Sequence, residues 1–126
     1  MQKQIISTDK APAAIGPYNQ AILAGNTLYC SGQIPIDPAT GELVQDSIEA
    51  EMHQVMKNIS AVLEAANMGL LNVVKASIFM ADMADYARIN AVYAEYFTEN
   101  APAREAVAVK TLPKNVNVEI SVIAVS

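Results

Sequence analysis

The chain has one cysteine, Cys30, and one histidine, His53. A single thiol excludes an intrachain disulfide and a thiolate metal cage. Cys30, between Tyr29 and Ser31, reads as a small buried hydrophobe. His53 falls between the core-type positions Met52 and Val55 and reads as a solvated helix-face residue rather than a catalytic base. Charge is scarce too: 17% of residues are charged and 52% hydrophobic, against about 25% charged in an average domain. A chain of 126 residues cannot hide that much apolar surface alone, so an oligomer is expected. The eight basic residues are scattered and the net charge is -5, which argues against a nucleic-acid or anionic-membrane partner. No apolar run approaches the roughly 18 residues of a membrane span. Met1-Gln2-Lys3-Gln4-Ile5 lacks the apolar stretch of a signal peptide, which makes the cytoplasm the default location.

What remains is one domain, residues 1–126, without repeats, linkers or low-complexity segments. Residues 2–7 suggest a short strand. Ala11-Pro12-Ala13-Ala14-Ile15-Gly16-Pro17 is a punctuated loop, because proline and glycine break both the helical and the strand period. Strands are expected at 18–23 and 27–34, around the turn Ala24-Gly25-Asn26. A helix should start near Asp46, with Glu49 completing a capping box. Its buried face would be Ile48, Met52, Val55, Ile59, Val62 and Ala66, and Gly69 offers a stop. Residues 73–80 read as a strand and 84–98 as a second helix burying Tyr86, Ile89, Tyr93 and Tyr96 or Phe97. Strands at 104–109 and 116–125 flank a turn at Leu112-Pro113-Lys114-Asn115. Two helices between runs of strands give an α+β or α/β layered domain with the helices on one sheet face.

Two charges stand out in this apolar frame. Arg104 lies in Pro102-Ala103-Arg104-Glu105-Ala106-Val107, and Glu119 interrupts Val116-Asn117-Val118-Glu119-Ile120. A sheltered guanidinium needs an anionic partner. Either Arg104 and Glu119 form a structural ion pair, or Arg104 awaits a carboxylate ligand and Glu119 works beside it. Period-two alternation places Val116, Val118, Ile120, Val122 and Ala124 on one face of the last strand. Asn117, Glu119, Ser121 and Ile123 share the other, which points to a cleft or subunit interface.

Ala13-Ala14-Ile15-Gly16-Pro17-Tyr18, Ser31-Gly32-Gln33-Ile34-Pro35, Pro102-Ala103-Arg104, Leu112-Pro113 and the strand of Glu119 resemble, in order and over essentially the whole chain, the RidA (YjgF) family of imine deaminases. The resemblance implies an α+β, chorismate-mutase-like subunit: a mixed sheet with two helices on one face. It further implies a homotrimer whose sheets surround a central barrel, with three clefts between subunits. The implied activity is hydrolysis of 2-enamine and 2-imine acids, such as 2-aminoacrylate, to 2-keto acids and ammonia. The small imino acid is the implied partner, with no cofactor and no metal. Residue by residue, Arg104 matches the arginine that grips the substrate carboxylate and Glu119 the glutamate that holds the hydrolytic water. Tyr18 matches the tyrosine closing the pocket, Ser31 and Gly32 the segment lining it, and Asn90 an asparagine of the second helix near the cleft. Family members often carry serine and then cysteine or alanine after the arginine; here Glu105 and Ala106 follow, so thiol-dependent behaviour is not implied. Thr111 replaces a frequent arginine and Ser121 a frequent acidic residue.

These residues suit the chemistry. Arginine can hold a carboxylate through two parallel hydrogen bonds. A glutamate near that guanidinium should stay ionised and serve as a base. Tyr18 or solvent could deliver the proton of the enamine-to-imine step. The alternatives are a non-catalytic module that senses a small carboxylate such as a 2-keto acid, the ribonuclease and translation-inhibitor activities associated with the family, and a holdase-type chaperone.

Overall fold

Alternation along the last strand sets the layers of this molecule. The computed structural model describes residues 2–126. Six strands, β1 (Lys3–Ile6), β2 (Ala21–Ala24), β3 (Thr27–Gln33), β4 (Val73–Met80), β5 (Ala103–Ala108) and β6 (Val118–Val125), form one sheet in the order β1-β2-β3-β6-β4-β5. Two helices, α1 (Ile48–Ala65) and α2 (Tyr86–Tyr96), complete a mixed α+β fold. All neighbouring strands run antiparallel except β4 and β5, which are parallel and joined through α2. In β6, Val118, Ile120, Val122 and Ala124 are buried, while Glu119, Ser121, Ile123 and Val125 are half-buried on the opposite face, as the alternation predicts.

The buried face packs under the helices. Leu28 of β3 and Ala76, Ile78 and Met80 of β4 join Met52, Val55, Met56 and Ile59 of α1 and Ile89 of α2 in one core. Each fully buried large side chain contributes about 1.5–3 kcal/mol of gross hydrophobic stabilisation. The other sheet face has no helix over it. It carries Ile5, Ile22, Tyr29 and Ile123 in cross-strand line, and Phe79 beside Val107. Ile5 is 59% and Tyr29 50% exposed.

Element ends depart from the sequence expectation where side chains compete. Ser47, not Asp46, caps α1, accepting the Ala50 N–H at 3.0 Å. Glu49 is drawn away from the cap by Arg88 of α2, which donates to it at 2.6 and 2.7 Å. Those hydrogen bonds hold the Glu49 carboxyl down at about 2. At the other end Asn67, not Gly69, takes the left-handed turn, at φ 59°. The Asn67 N–H reaches the Glu64 carbonyl and the Met68 N–H the Leu63 carbonyl, the pair of bonds that defines a Schellman stop. α2 starts at Tyr86, after a short turn in which Asp82 accepts the Ala84 N–H.

β2 starts at Ala21 instead of residue 18, because side chains replace the ladder there. The Tyr18 N–H turns back onto the Gly16 carbonyl. The Gln20 amide, 4% exposed, donates to the carbonyls of Thr8, Ala11 and Pro12 and accepts the Thr8 N–H. Asn58 does similar work from the middle of α1: fully buried, it donates to the carbonyls of Ile34 and Ile36 at 3.1 and 3.0 Å. This fastens the loop after β3 to the helix layer. Asn58→Ala strands both carbonyls, each worth about 1–3 kcal/mol when unsatisfied and buried. The expected loss is about 2–4 kcal/mol in urea unfolding, and a loss below 0.5 kcal/mol would show that the loop is not held this way.

Candidate functional site

The residues singled out in the sequence gather in two places. Tyr18, Ser31, Gly32 and Glu119 meet in one cleft of about 440 Å³, with Ile34 and Pro113. Arg104 and Asn90 meet elsewhere, between β5 and α2.

A β-bulge builds the cleft. Cys30 pairs with Val122 and Gln33 with Ile120, so two residues, Ser31 and Gly32, stand opposite Ser121 alone. The extra residue bends β3 away from β6, and the Glu119 side chain fills the space beside Gly32. A Cβ on Gly32 would lie 2.0 Å from Glu119 Oε2, so only glycine fits. The Ser31 hydroxyl donates to the Asn19 carbonyl at 2.6 Å, which leaves its oxygen lone pairs facing outward as acceptors. Tyr18, 52% exposed, stands at the rim. Two residues before Glu119, Asn117 is clamped by Glu51 of α1, a carboxylate 1% exposed that accepts the Asn117 N–H at 2.9 Å and its amide at 2.6 Å. A helix side chain therefore sets where β6 begins and where Glu119 lies.

Arg104 has three neutral partners. Its Nη1 donates to Asn90 Oδ1 and its Nη2 to the Tyr86 hydroxyl, both at 2.8 Å. Its Cζ lies 4.8 Å from the centre of the Tyr93 ring, a cation–π contact. Tyr86, Asn90 and Tyr93 stand at i, i+4 and i+7, one face of α2. The Tyr93 hydroxyl is buried with no hydrogen-bond partner in the chain, and burial raises its pKa against the opposing pull of Arg104.

Two expectations need correction. Arg104 and Glu119 do not meet within one chain. Arg104 is level with Ala76 and Val122 and faces the helices, whereas Glu119 is level with Phe79 and Val107 and faces away. Strand parity on opposite sides of β4 separates them, so neither a structural ion pair nor a shared cleft forms inside the subunit. Nor is Glu119 held ionised by a neighbouring cation: burial pushes its carboxyl pKa up. Glu105 points away from Arg104, as its strand position requires, and pairs on the open face with Lys75 at 2.8 Å and with the Ser77 hydroxyl. His53 is not simply solvated; its Nδ1 lies 2.6 Å from the Tyr96 hydroxyl of α2. Cys30 is buried as expected, and burial pushes its thiol up to about 12, which keeps it unreactive.

Sequence reasoning missed Tyr86 and Tyr93 as partners of Arg104, taking both as core. Their spacing with Asn90 was the available signal. Glu51 gave none, since its role depends on β6 passing the first turn of α1.

The family described as Endoribonuclease L-PSP, which is the RidA/YjgF family, matches residues 8–126. The chain belongs to it. A RutC family protein of Pyrococcus horikoshii is 54% identical over 122 residues, covering 97% of each chain. A Bos taurus protein named 2-iminobutanoate/2-iminopropanoate deaminase is 50% identical over 123 residues, 98% of this chain and 90% of the relative. Among solved structures, Escherichia coli TdcF with bound serine is similar with a TM-score of 0.93, at 38% identity and covering 98% of each chain. RidA-family relatives thus share the whole fold, bulge-bearing sheet and helix layer included.

Gly32→Ala should leave that fold intact and move one group. In a crystal structure of the variant the Glu119 carboxylate is expected to shift by at least about 1 Å, because real Cβ contacts under 3.0 Å are essentially never seen. An unmoved carboxylate would mean that the backbone of the bulge yields instead.

Proposed function

We propose that the chain hydrolyses 2-imino acids, and the 2-enamino acids that tautomerise to them, to 2-keto acids and ammonia. The observation that carries this reading is the state of Arg104. Its guanidinium is half-buried and held by Asn90, Tyr86 and Tyr93, none of them anionic. Two of its five N–H donors are spent on these supports and three remain. A rigid cation in that setting suits a planar carboxylate. The serine bound to the Escherichia coli relative has such a carboxylate, and the deaminase names of mammalian relatives supply the imine.

The working site is a cleft between copies. Arg104 sits by an edge strand on the helix side, and Glu119 on the bare side, so a second copy has to bring one to the other. The uncovered apolar sheet face gives a reason for copies to assemble, and three packed around it complete a homotrimer with three clefts. Arg104 of one copy then orients the carboxylate toward the Glu119 cleft of the next.

The reaction there is short. Glu119 accepts a proton from a water while its oxygen attacks the C=N carbon. The C=N pair moves to nitrogen, which takes up a proton, giving a carbinolamine. Collapse of that species forms the C=O bond and expels ammonia. Positioning supplies most of the acceleration, since such imines hydrolyse in water unaided. A carboxyl whose pKa burial raises is a stronger base than ordinary glutamate once ionised. The family description also names an endoribonuclease. Eight basic residues against thirteen acidic ones, with Lys75 and Arg88 already paired to acids, make RNA the less favoured substrate.

The test is release of keto acid from an imino acid generated in situ by an amino-acid-converting enzyme. Arg104→Ala removes two charge-assisted bonds of about 1.5–3 kcal/mol each and is expected to cut kcat/KM roughly 10²- to 10⁴-fold. Wild-type protein that leaves the spontaneous rate unchanged would overturn the proposal. Glu119→Gln should lower kcat by about 10²-fold or more with the assembly intact by sedimentation. The base works only when ionised, so activity is present above the Glu119 pKa and lost below it. Because burial raises that pKa, the acid limb of the wild-type profile is expected above the ordinary value of 4.5 and absent from the residual activity of Glu119→Gln.

A further inference from the structure

Beside the Glu119 cleft lies a second cavity, of about 310 Å³, for which the reaction above has no use. Its walls include Pro12, Ala13, Ile15, Tyr18, Ile34 and Ile36. It is continuous with the cleft, because Tyr18, Gly32, Ile34 and Pro113 border both. A molecule held at Glu119 would therefore have one end free to extend into this chamber.

The chamber is apolar in effect as well as in composition. Of its two glutamines, Gln20 spends its whole amide on Thr8, Ala11 and Pro12. The Gln33 nitrogen faces the Ser31 carbonyl at 3.4 Å. The one charged residue on the wall is Lys114. At the mouth, Ile15 is 86% exposed, a large apolar side chain in water next to the half-exposed Tyr18 ring. Gly16 behind it adopts φ 128°, a conformation that other residues rarely take, so the loop holds Ile15 in this position. An apolar concavity with saturated polar groups favours an apolar guest.

We infer that this chamber is the subsite for the substrate side chain, and that the chain prefers 2-imino acids bearing neutral aliphatic side chains of three or four carbons. The inference rests on the imine-hydrolase reading of the neighbouring cleft. A methyl or ethyl side chain, as in the substrates for which the mammalian relatives are named, occupies little of the cavity and leaves its walls wet. A propyl or isobutyl group reaches the Ile34 and Ile36 wall and displaces that water. The positive charge of Lys114 disfavours a cationic side chain.

The experiment compares imino acids generated by an amino-acid oxidase from alanine, 2-aminobutyrate, norvaline, leucine and lysine, each read as kcat/KM for keto-acid release. The expected gain is about three- to fourfold per added methylene up to four carbons, with the lysine-derived imine below the norvaline-derived one. Two variants locate the effect: Ala13→Phe fills the chamber, and Ile15→Ser removes an exposed wall without touching the core. Both should bring the leucine-to-alanine ratio down towards one. A flat wild-type series, with the alanine-derived imine still turned over and still dependent on Arg104, overturns the subsite while sparing the hydrolase; another copy or water then fills the chamber. A steep series unmoved by both variants also overturns it. No acceleration of any imine removes the hydrolase reading itself, and the subsite with it.

Discussion

The alternation of β6 is the constraint on which the rest of this structure depends. The strand lies inside the sheet, bonded to β3 on one side and β4 on the other. Its register is therefore fixed from both sides, and a slip of one residue would exchange Val118, Ile120 and Val122 with Glu119, Ser121 and Ile123. Burying Glu119 under the helices without a partner would cost far more than any site could return. The core thus enforces the orientation of the carboxylate, and the bulge at Ser31 and Gly32 then opens the room that its side chain occupies.

Arg104 shows a different solution to the same problem. It sits on the helix side of an edge strand, where a bare guanidinium would be costly. Asn90, Tyr86 and Tyr93 solvate it in place of water, with an amide oxygen, a hydroxyl and a ring face. None of these neutralises it. The charge is tolerated and its direction is set, which is what recognition of a carboxylate demands. The polar helix residues Glu51 and Asn58 play the matching part beneath the other cleft, fastening Asn117 and the loop after β3.

Much of this was legible in the chain. Every strand and both helices fell where periodicity and punctuation put them, with ends moved by one to three residues. The misses share a cause. Ser47 displaced Asp46 as the cap because Glu49 was taken by Arg88, thirty-nine residues away. Gln20 shortened β2 by holding Thr8, Ala11 and Pro12. Asn67 took the turn meant for Gly69, since the Schellman bonds closed two residues earlier. In each case a side chain found a partner that local pattern cannot show.

The same division holds for the site. Composition, the period of β6 and the motifs around Tyr18, Gly32 and Arg104 determined the layers, the surplus apolar face and which residues carry chemistry, because these depend on neighbours within a few positions. Only the tertiary structure decided that Arg104 and Glu119 face opposite sides of the sheet, that three neutral groups hold the guanidinium, and that burial alone governs the carboxylate. Those outcomes follow from strand order and from which helix crosses which strand. Strand order brings together residues far apart in sequence, and a one-dimensional pattern does not contain it.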